Sequence, residues 1–205
     1  MISFIICVPT YNAAKYFPNF IAQYRKQSIQ SSKVLIIDSS SQDNTGKLAL
    51  NAGFELITIP KKEFNHGLTR NLALNYAQDC ELIVFMTQDA IFADTDALLN
   101  LTASFKENSQ IAIAYGRQLA TENANPIAKF ARIYNYGEEN QLKTLKDKEK
   151  LGIKTIFCSN SFACYRKTDL IELGGFPATN FGEDALFAAK CLLAGKAIFY
   201  NADAK

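Results

Sequence analysis

The chain has 205 residues, 48% of them hydrophobic, and its formal net charge is +2 at pH 7. This length is enough for one substantial domain with a buried core. So small a net charge argues against nucleic acid as a partner and against a general electrostatic attraction to membranes. A ligand that carries phosphate needs only a local basic site, which the composition permits.

The five cysteines are odd in number and include no C-x-x-C pair, which is typical of reduced, mostly buried thiols in a cytosolic protein. A zinc site of His and Cys is not expected, because His66 is the only histidine. No apolar run approaches the roughly 18 residues that span a bilayer. The short run Ile2–Val8 lacks a basic flank and leads into polar residues, so it predicts a buried first strand and not a signal peptide.

The first half alternates apolar runs with helical patterns, which is typical of an α/β fold. The predicted strands are Phe4–Val8, Lys33–Ile37, Glu55–Ile59 and Glu81–Met86. The predicted helices are one through Phe17, Phe20, Ile21 and Tyr24, a short one at Lys47–Asn51 that Gly53 ends, and one whose single face carries Leu68, Leu72 and Tyr76.

The second half is less regular. Extended chain is predicted at Ile111–Tyr115 and at Thr155–Tyr165, and a helix at Glu183–Ala194 that Gly195 ends. The stretch Glu138–Lys150 holds four acidic and four basic residues. It predicts a solvated helix or a mobile loop, with a flap over a binding site as the alternative.

Polar clusters follow three of the predicted strands, at Pro9–Asn12, Asp38–Thr45 and Thr87–Asp89. Ligands of open α/β sheets bind outside the carboxyl ends of the strands, where such loops converge. Asp38 could accept hydrogen bonds from a nucleobase or a ribose, or could serve only as a turn or cap residue. Asp89 could hold a divalent cation that bridges two phosphates, or could cap a helix that begins at Ala90.

Two further stretches combine charge with a helix start. In Phe64–Asn71, Gly67 permits close backbone approach, and Arg70 together with the helix N-terminus favours an anion such as a diphosphate. The alternative there is a capped helix with a surface arginine. In Gly182-Glu183-Asp184, one carboxylate could take a proton from an acceptor hydroxyl, or both acids could only complement the helix dipole. That dipole lowers a carboxylate pKa, so basicity would have to come from burial or from neighbours.

Together these stretches resemble the family 2 glycosyltransferases of GT-A fold, and most closely their bacterial rhamnosyltransferase-like members. Val8–Asn12 is similar to the opening strand and turn, and Ile36–Thr45 to the base-binding aspartate with its turn. Phe64–Asn71 resembles the F-x-H-G-x-x-R-N stretch, and Thr87–Ala90 occupies the place of the D-x-D metal motif. Asn180–Asp184 resembles the stretch that carries the general base. The resemblance extends from the first strand to about Tyr200.

The resemblance implies a single GT-A domain over residues 1–205, with a mostly parallel, Rossmann-like central sheet flanked by helices. Residues 1–100 would bind the nucleotide sugar, and residues 101–205 would hold the acceptor and the catalytic base. It implies Asp184, or its neighbour Glu183, as the base and Asp89 as the ligand of Mg²⁺ or Mn²⁺. The implied donor-binding residues are Pro9, Thr10, Tyr11, Asn12, Asp38, Ser39, Ser40, His66, Gly67, Arg70 and Gln88.

The sequence departs from the family pattern in two ways. Thr87 stands where the first aspartate of D-x-D is expected, so metal binding rests on Asp89 alone. The chain also stops at Lys205, where many relatives continue, and this predicts a C-terminal truncation. It contains neither tryptophan nor the Q-x-x-R-W motif of processive synthases, so one sugar is expected per encounter.

The implied reaction is inverting transfer from dTDP-L-rhamnose, with UDP-hexoses as the next candidate donors. The acceptor would be a saccharide or a lipid-linked saccharide in surface polysaccharide synthesis. The protein would be cytoplasmic, with peripheral association at the inner membrane face left open. One alternative is a nucleotidyltransferase, although residues 9–13 lack the Gly-rich basic loop of that class. The other is a non-catalytic module that binds nucleotide sugars.

Overall fold

The computed structural model describes residues 2–121, 123–179 and 181–205. Its first half contains the strands β1 (Phe4–Thr10), β2 (Lys33–Asp38), β3 (Glu55–Thr58) and β4 (Leu82–Met86). β1 pairs in parallel with both β2 and β4, and β2 pairs in parallel with β3. All five residues of β4 are buried, as expected for a parallel strand covered on both faces. The four predicted strands are confirmed.

The second half adds β5 (Ile111–Gly116), β6 (Gln141–Lys143), β7 (Phe162–Arg166) and β8 (Ala197–Asn201). One sheet results, with the strand order β3-β2-β1-β4-β7-β5-β8-β6. β7 is antiparallel to β4 and β5, and β6 is antiparallel to β8, so the other six strands share one direction. The mostly parallel sheet is thereby confirmed.

Helices cover both faces of this sheet. They are α1 (Phe17–Tyr24), α2 (Thr45–Asn51), α3 (His66–Asn71), α4 (Ala97–Glu107), α5 (Pro126–Asn135), α6 (Lys148–Leu151), α7 (Lys167–Glu172) and α8 (Glu183–Leu193). Side chains alternate along β1, so Ile6 joins the core under α1 and α4, whereas Ile5 joins the core under α7 and α8. All five cysteines are free and buried, as predicted.

The prediction of one helical face through Leu68, Leu72 and Tyr76 was wrong. α3 ends at Asn71 and continues as a 3-10 helix over Leu72–Tyr76, and Leu68 is 51% exposed. The buried side of α3 carries Gly67, Thr69 and Arg70 instead. Gly67 explains this, because a Cβ atom there would lie 2.0 Å from the carbonyl oxygen of Pro177. A close backbone contact therefore replaces the expected apolar ridge.

Predictions for the stretch after α5 also needed correction. Glu138–Lys150 is neither one solvated helix nor a loop without structure, since it contains β6, a 3-10 turn and most of α6. Lys143 is only 1% exposed, and its ammonium donates to Tyr115 Oη and to the backbone oxygens of Lys154 and Phe157. Thr155 belongs to a 3-10 helix, and the predicted extended chain begins only at Phe162. Among the described residues, no helix is long and apolar enough to cross a membrane.

Candidate active site

The loops that follow β1 and β2 are joined by hydrogen bonds. The Asn12 amide donates to Ser41 Oγ at 2.8 Å, and Asn12 Oδ1 accepts from the Gln42 amide at 2.9 Å. The Ala13 amide donates to Thr45 Oγ1 at 2.7 Å. Asn12 adopts a φ of 50°, in the left-handed region that asparagine tolerates better than most residues. These contacts make the two loops one preformed unit.

Asp38 stands at the end of β2 and is 5% exposed. Its Oδ1 accepts from Thr10 Oγ1 at 3.0 Å and from Ser41 Oγ at 2.5 Å, and its Oδ2 accepts from the Ser41 amide at 2.8 Å. The carboxylate therefore holds the two loops together. Its contact with a nucleobase or ribose stays a prediction.

Gln88 connects the third predicted loop to the first. The Tyr11 amide donates to Gln88 Oε1 at 2.8 Å, and Gln88 Nε2 donates to the backbone oxygen of Tyr11 at 3.3 Å. The loops after β1, β2 and β4 thus converge at one edge of the sheet, as expected for parallel strands.

These loops and α3 surround a cavity of about 350 Å³, within the range usual for small-molecule sites. Seven of the predicted donor-binding residues line it, namely Pro9, Thr10, Tyr11, Ser39, His66, Arg70 and Gln88, together with Lys61, Phe64 and Thr87. The other four are not among the lining residues. Asn12 and Asp38 join the loops after β1 and β2, the Ser40 hydroxyl donates to the backbone oxygen of Ile59, and Gly67 packs on Pro177.

Two residues that line the cavity have buried polar atoms with unused hydrogen-bonding capacity. Ser39 Oγ and Arg70 Nε are buried without a hydrogen-bond partner among the described residues. Buried polar atoms of this kind are rare in native proteins unless something else satisfies them. Lys61 adds a cation, since its ammonium donates to Tyr11 Oη at 2.8 Å and lies 4.1 Å from the centre of that ring. An aromatic wall with a cation and free donors suits a nucleotide.

Arg70 reaches this cavity as half of a buried ion pair. Its NH1 lies 3.0 Å from Glu183 Oε1, with side chains only 5% and 7% exposed. The same nitrogen donates to the backbone oxygen of His66 at 3.0 Å. This pair connects α3 in the first half of the chain to the start of α8 in the second. The surface-arginine alternative was therefore wrong.

Asp184 lies beside this ion pair, at the second position of α8. Its Oδ1 accepts from the Ala185 amide at 2.8 Å and its Oδ2 from the Asn160 amide at 3.2 Å. Burial, and then the neighbouring charge of Glu183, raise the pKa of Asp184 above its ordinary value, although these hydrogen bonds act to lower it. Burial and a neighbour thus supply the basicity that a helix N-terminus alone would reduce.

Asn160 was not predicted as a site residue, yet it contacts both acids. Its Nδ2 donates to Glu183 Oε1 at 3.1 Å, its amide donates to Asp184, and its Oδ1 accepts from Tyr165 Oη at 2.8 Å. The polar triplet Ser159-Asn160-Ser161, directly before the apolar strand β7, is the sequence signal that could have identified it.

Asp89 is exposed in the loop after β4. No helix begins at Ala90, since α4 starts only at Ala97, so the capping alternative was wrong. Asp89 lines a second cavity of about 340 Å³ with Arg117, Arg132 and Lys205, and Thr87 lines both cavities.

A metal ion at Asp89 would need ligands from elsewhere. The described residues contain no group of three or more His, Cys, Asp or Glu side chains suited to a metal. Mg²⁺ commonly binds through one or two carboxylates together with water and substrate phosphates, and a lone Asp89 fits that mode only. Asn180 of the predicted base motif lies outside the described residues.

The fold is the GT-A fold of nucleotide-sugar transferases. It is shared by S. aureus TarS, with a TM-score of 0.78 and 21% identity over 98% of this chain and 58% of that chain. The mannosyltransferase PcManGT of Pyrobaculum calidifontis, solved with GDP-Man and Mn²⁺, gives a TM-score of 0.72 and 19% identity over 98% of this chain and 55% of that one. The family model for glycosyl transferase family 2 matches residues 5–174, so the chain belongs to this family.

Two curated relatives are more similar in sequence. The O-antigen chain rhamnosyltransferase RfbN of Salmonella typhimurium is 45% identical over 201 residues, which cover 97% of this chain and 64% of the relative. The O-antigen chain rhamnosyltransferase WbaN of Salmonella anatum is 46% identical, covering 100% of this chain and 65% of the relative. The chain therefore spans slightly less than two thirds of the length of each.

Proposed function

We propose that the protein is an inverting glycosyltransferase that moves one L-rhamnose from dTDP-L-rhamnose to a saccharide or lipid-linked saccharide during surface polysaccharide synthesis. The observation that carries this proposal is the ion pair between Arg70 and Glu183, which joins the nucleotide-sized cavity to a carboxylate of raised pKa. The similarity to RfbN and WbaN supports rhamnose as the sugar. UDP-hexoses remain the second candidate donors, since TarS was also solved with UDP-GlcNAc.

The reaction that this geometry supports is a direct displacement. Asp184 takes the proton from an acceptor hydroxyl while that oxygen forms a bond to the anomeric carbon. The bond from this carbon to the diphosphate breaks on the opposite face, and its electron pair leaves with the nucleoside diphosphate. The configuration at the anomeric carbon is thereby inverted. Asp184 is the better base of the two acids, because Glu183 is already committed to Arg70.

The nucleoside would occupy the cavity lined by Tyr11, Ser39 and Arg70, beside the unsatisfied Ser39 Oγ and Arg70 Nε. Fixing the donor there aligns its anomeric carbon for attack. Asp89 would hold Mg²⁺ or Mn²⁺, which would stabilise the negative charge of the departing diphosphate. Thr87 lines both this cavity and the second one, which would receive the acceptor.

Membership of family 2 argues against a nucleotidyltransferase. A non-catalytic module that binds nucleotide sugars is the remaining alternative. We place the protein at the cytoplasmic membrane face, with peripheral association, because a lipid-linked acceptor is confined there.

A thermal-shift panel tests the donor assignment. The native protein is heated with dTDP-L-rhamnose, UDP-glucose or GDP-mannose, each in Mg²⁺, in Mn²⁺ or in chelator. A ligand that binds only the folded state raises the melting temperature by mass action, and we expect dTDP-L-rhamnose to raise it most. A larger shift with UDP-glucose would replace the assigned donor, and no shift with any of the three would remove the donor site.

The same panel tests the metal ligand. Asp89→Ala should reduce the shift in metal to the value in chelator, because one carboxylate carries the protein's contribution. Asp79→Ala, which removes an exposed carboxylate before β4 instead of after it, is the matched control and should behave like wild type. A metal-dependent shift that survives in Asp89→Ala would exclude Asp89 as the ligand.

A further inference from the structure

Helix α5 exposes an apolar face that no described part of the chain covers. None of its ten residues is buried. Four large apolar side chains on it are strongly exposed, with Ile127 at 82%, Phe130 at 65%, Ile133 at 76% and Tyr134 at 60%. At helical spacing these positions lie on one side of the helix, and we call them the α5 patch. A helix that belonged only to the surface of a globular domain would bury such a face.

The patch is ordered by its own contacts. The rings of Phe130 and Tyr134 stack with centroids 5.7 Å apart. The ammonium of Lys154 lies 3.4 Å from the centre of the Tyr134 ring and donates to the Tyr134 backbone oxygen at 3.1 Å. This contact brings the 3-10 helix Gly152–Ile156 beside α5, and Ile153 within it is 80% exposed.

The charge around the patch is positive. Lys129 and Arg132 are the only charged residues of α5. Residues 126–154 contain seven basic and four acidic side chains, a net charge of +3, whereas the whole chain carries +2, so the remainder carries −1. Lys143 among them is buried, but Lys129 stands on α5 itself and Lys154 contacts Tyr134, so two basic side chains lie beside the exposed apolar ones. Basic residues next to an apolar face are the pattern of helices that lie in the interface of an anionic membrane.

The opposite side of α5 leads to the second cavity. At 100° per residue, Arg132 points away from the patch, and it lines the cavity that also contains Asp89. With its apolar face in a bilayer, α5 would hold that cavity at the level of the lipid headgroups. A saccharide on a lipid carrier would then reach the cavity without leaving the membrane.

We propose that the α5 patch docks the protein on an anionic phospholipid bilayer and thereby presents the second cavity to a lipid-linked acceptor. The acceptor part of this inference rests on the proposed function, whereas the membrane contact can be measured without it. A second copy is the less suitable occupant, because a twofold contact pairs a patch with itself and would bring its basic residues together.

The test is co-sedimentation of the full-length protein with vesicles of phosphatidylcholine, with and without phosphatidylglycerol. Wild type should bind the vesicles that contain phosphatidylglycerol, and binding should weaken as salt is raised. The double variant Phe130→Ser, Ile133→Ser should bind these vesicles more weakly by a factor of about ten or more, since two inserted apolar side chains are lost. Leu50→Ser removes a 60% exposed leucine on α2 and is the control, with wild-type binding expected.

Three results would overturn the proposal. Wild type could fail to bind anionic vesicles, or the double variant could bind as wild type does. The double variant could also melt at a clearly lower temperature or lose a dimer in solution, and the patch would then be covered by protein. Transfer to a water-soluble acceptor without vesicles separates this inference from the proposed function. That transfer should be equal in wild type and in the double variant, and its absence in both would contradict the function while leaving the membrane contact standing.

Discussion

Aspartates are found at the donor loops and at the start of α8, and the two regions use them in opposite ways. At the donor loops, Asp43 accepts from the Ala14 amide and from the amide and hydroxyl of Thr45. Burial acts to raise the pKa of Asp43, but these hydrogen bonds outweigh it and hold the pKa below its ordinary value. At α8, burial and the charge of Glu183 raise the pKa of Asp184.

The difference shows how position decides the role of a carboxylate. An aspartate that accepts several hydrogen bonds is stabilised as an anion and organises a loop. An aspartate that is buried beside another negative charge is a stronger base, which proton transfer requires. We therefore propose that the donor loops form a preformed binding surface and that the start of α8 is the reactive region.

Asp184→Asn should have the largest effect, because it removes the base proposed at the start of α8. The amide keeps the shape of the side chain but is a very poor base, so turnover should fall by roughly 10²–10⁴-fold. Donor affinity should stay within a few-fold, because the lost interaction forms only in the transition state. The measurement is acceptor-dependent transfer by the full-length protein, with the donor dissociation constant determined separately. Near-normal turnover would reduce Asp184 to a helix-dipole residue.

The pH dependence of turnover should also report the ionisation of Asp184. The base must be ionised, so turnover should fall as the pH drops through the raised pKa of Asp184, at a higher pH than an ordinary aspartate would give. Acidification should have the opposite effect on the stability of the native state. A carboxyl group whose pKa is raised by folding destabilises the native state when it ionises, and acidification through this window relieves that effect. Asp184→Asn should therefore melt at the wild-type temperature or slightly above it at neutral pH.

Glu183→Gln should have the opposite signature, with lower stability as its main effect. It leaves the buried Arg70 without its ionic partner, and breaking a buried pair in this way typically costs about 3–5 kcal/mol. The control is Glu138→Gln, since Glu138 pairs with Arg117 at 3.1 Å but is 85% exposed. Such exposed pairs contribute roughly 0–1 kcal/mol. Denaturant unfolding of both variants measures the difference, and equal losses would mean that the Arg70 pair has no special role.

Ser39→Ala should give the smallest effect, a modest loss of nucleotide affinity. Loss of a hydrogen bond to the nucleotide should weaken binding by about 0.5–1.5 kcal/mol. The loss should be equal for the nucleoside diphosphate and for the complete donor. Ser40→Ala is the control, because the hydroxyl of Ser40 already donates to the Ile59 oxygen at 2.8 Å. Calorimetric titration measures the affinity of each variant for dTDP. Equal affinities of the two variants would contradict the assignment of this cavity to the nucleotide.

The donor side was largely predictable from the sequence. Its strands are short apolar runs that end in polar turns, and parallel pairing brings those turns to one edge. The cavity lined by Tyr11, Ser39 and Arg70 follows from that local pattern.

The region around Asp184 depends on contacts between distant parts of the chain. Arg70 meets Glu183, and Asn160 meets both acids, across separations that no periodicity encodes. The helices α4, α5 and α7 were also missed, although the apolar residues of α5 recur at helical spacing and could have identified that helix. The burial of Lys143 was equally hidden, because its three acceptors lie on other segments of the chain.

The central claim is that the protein transfers a sugar from a nucleotide donor and does not only bind one. The most direct test incubates the full-length protein with dTDP-L-rhamnose, a divalent cation and saccharide acceptors, and follows dTDP release together with the glycosylated product by mass spectrometry and NMR. We expect one dTDP per sugar transferred, inverted configuration at the new bond, and no comparable product with Asp184→Asn. Saturable binding of dTDP-L-rhamnose without dTDP release or product, under conditions in which RfbN or WbaN transfers rhamnose, would contradict it and leave a non-catalytic binding module.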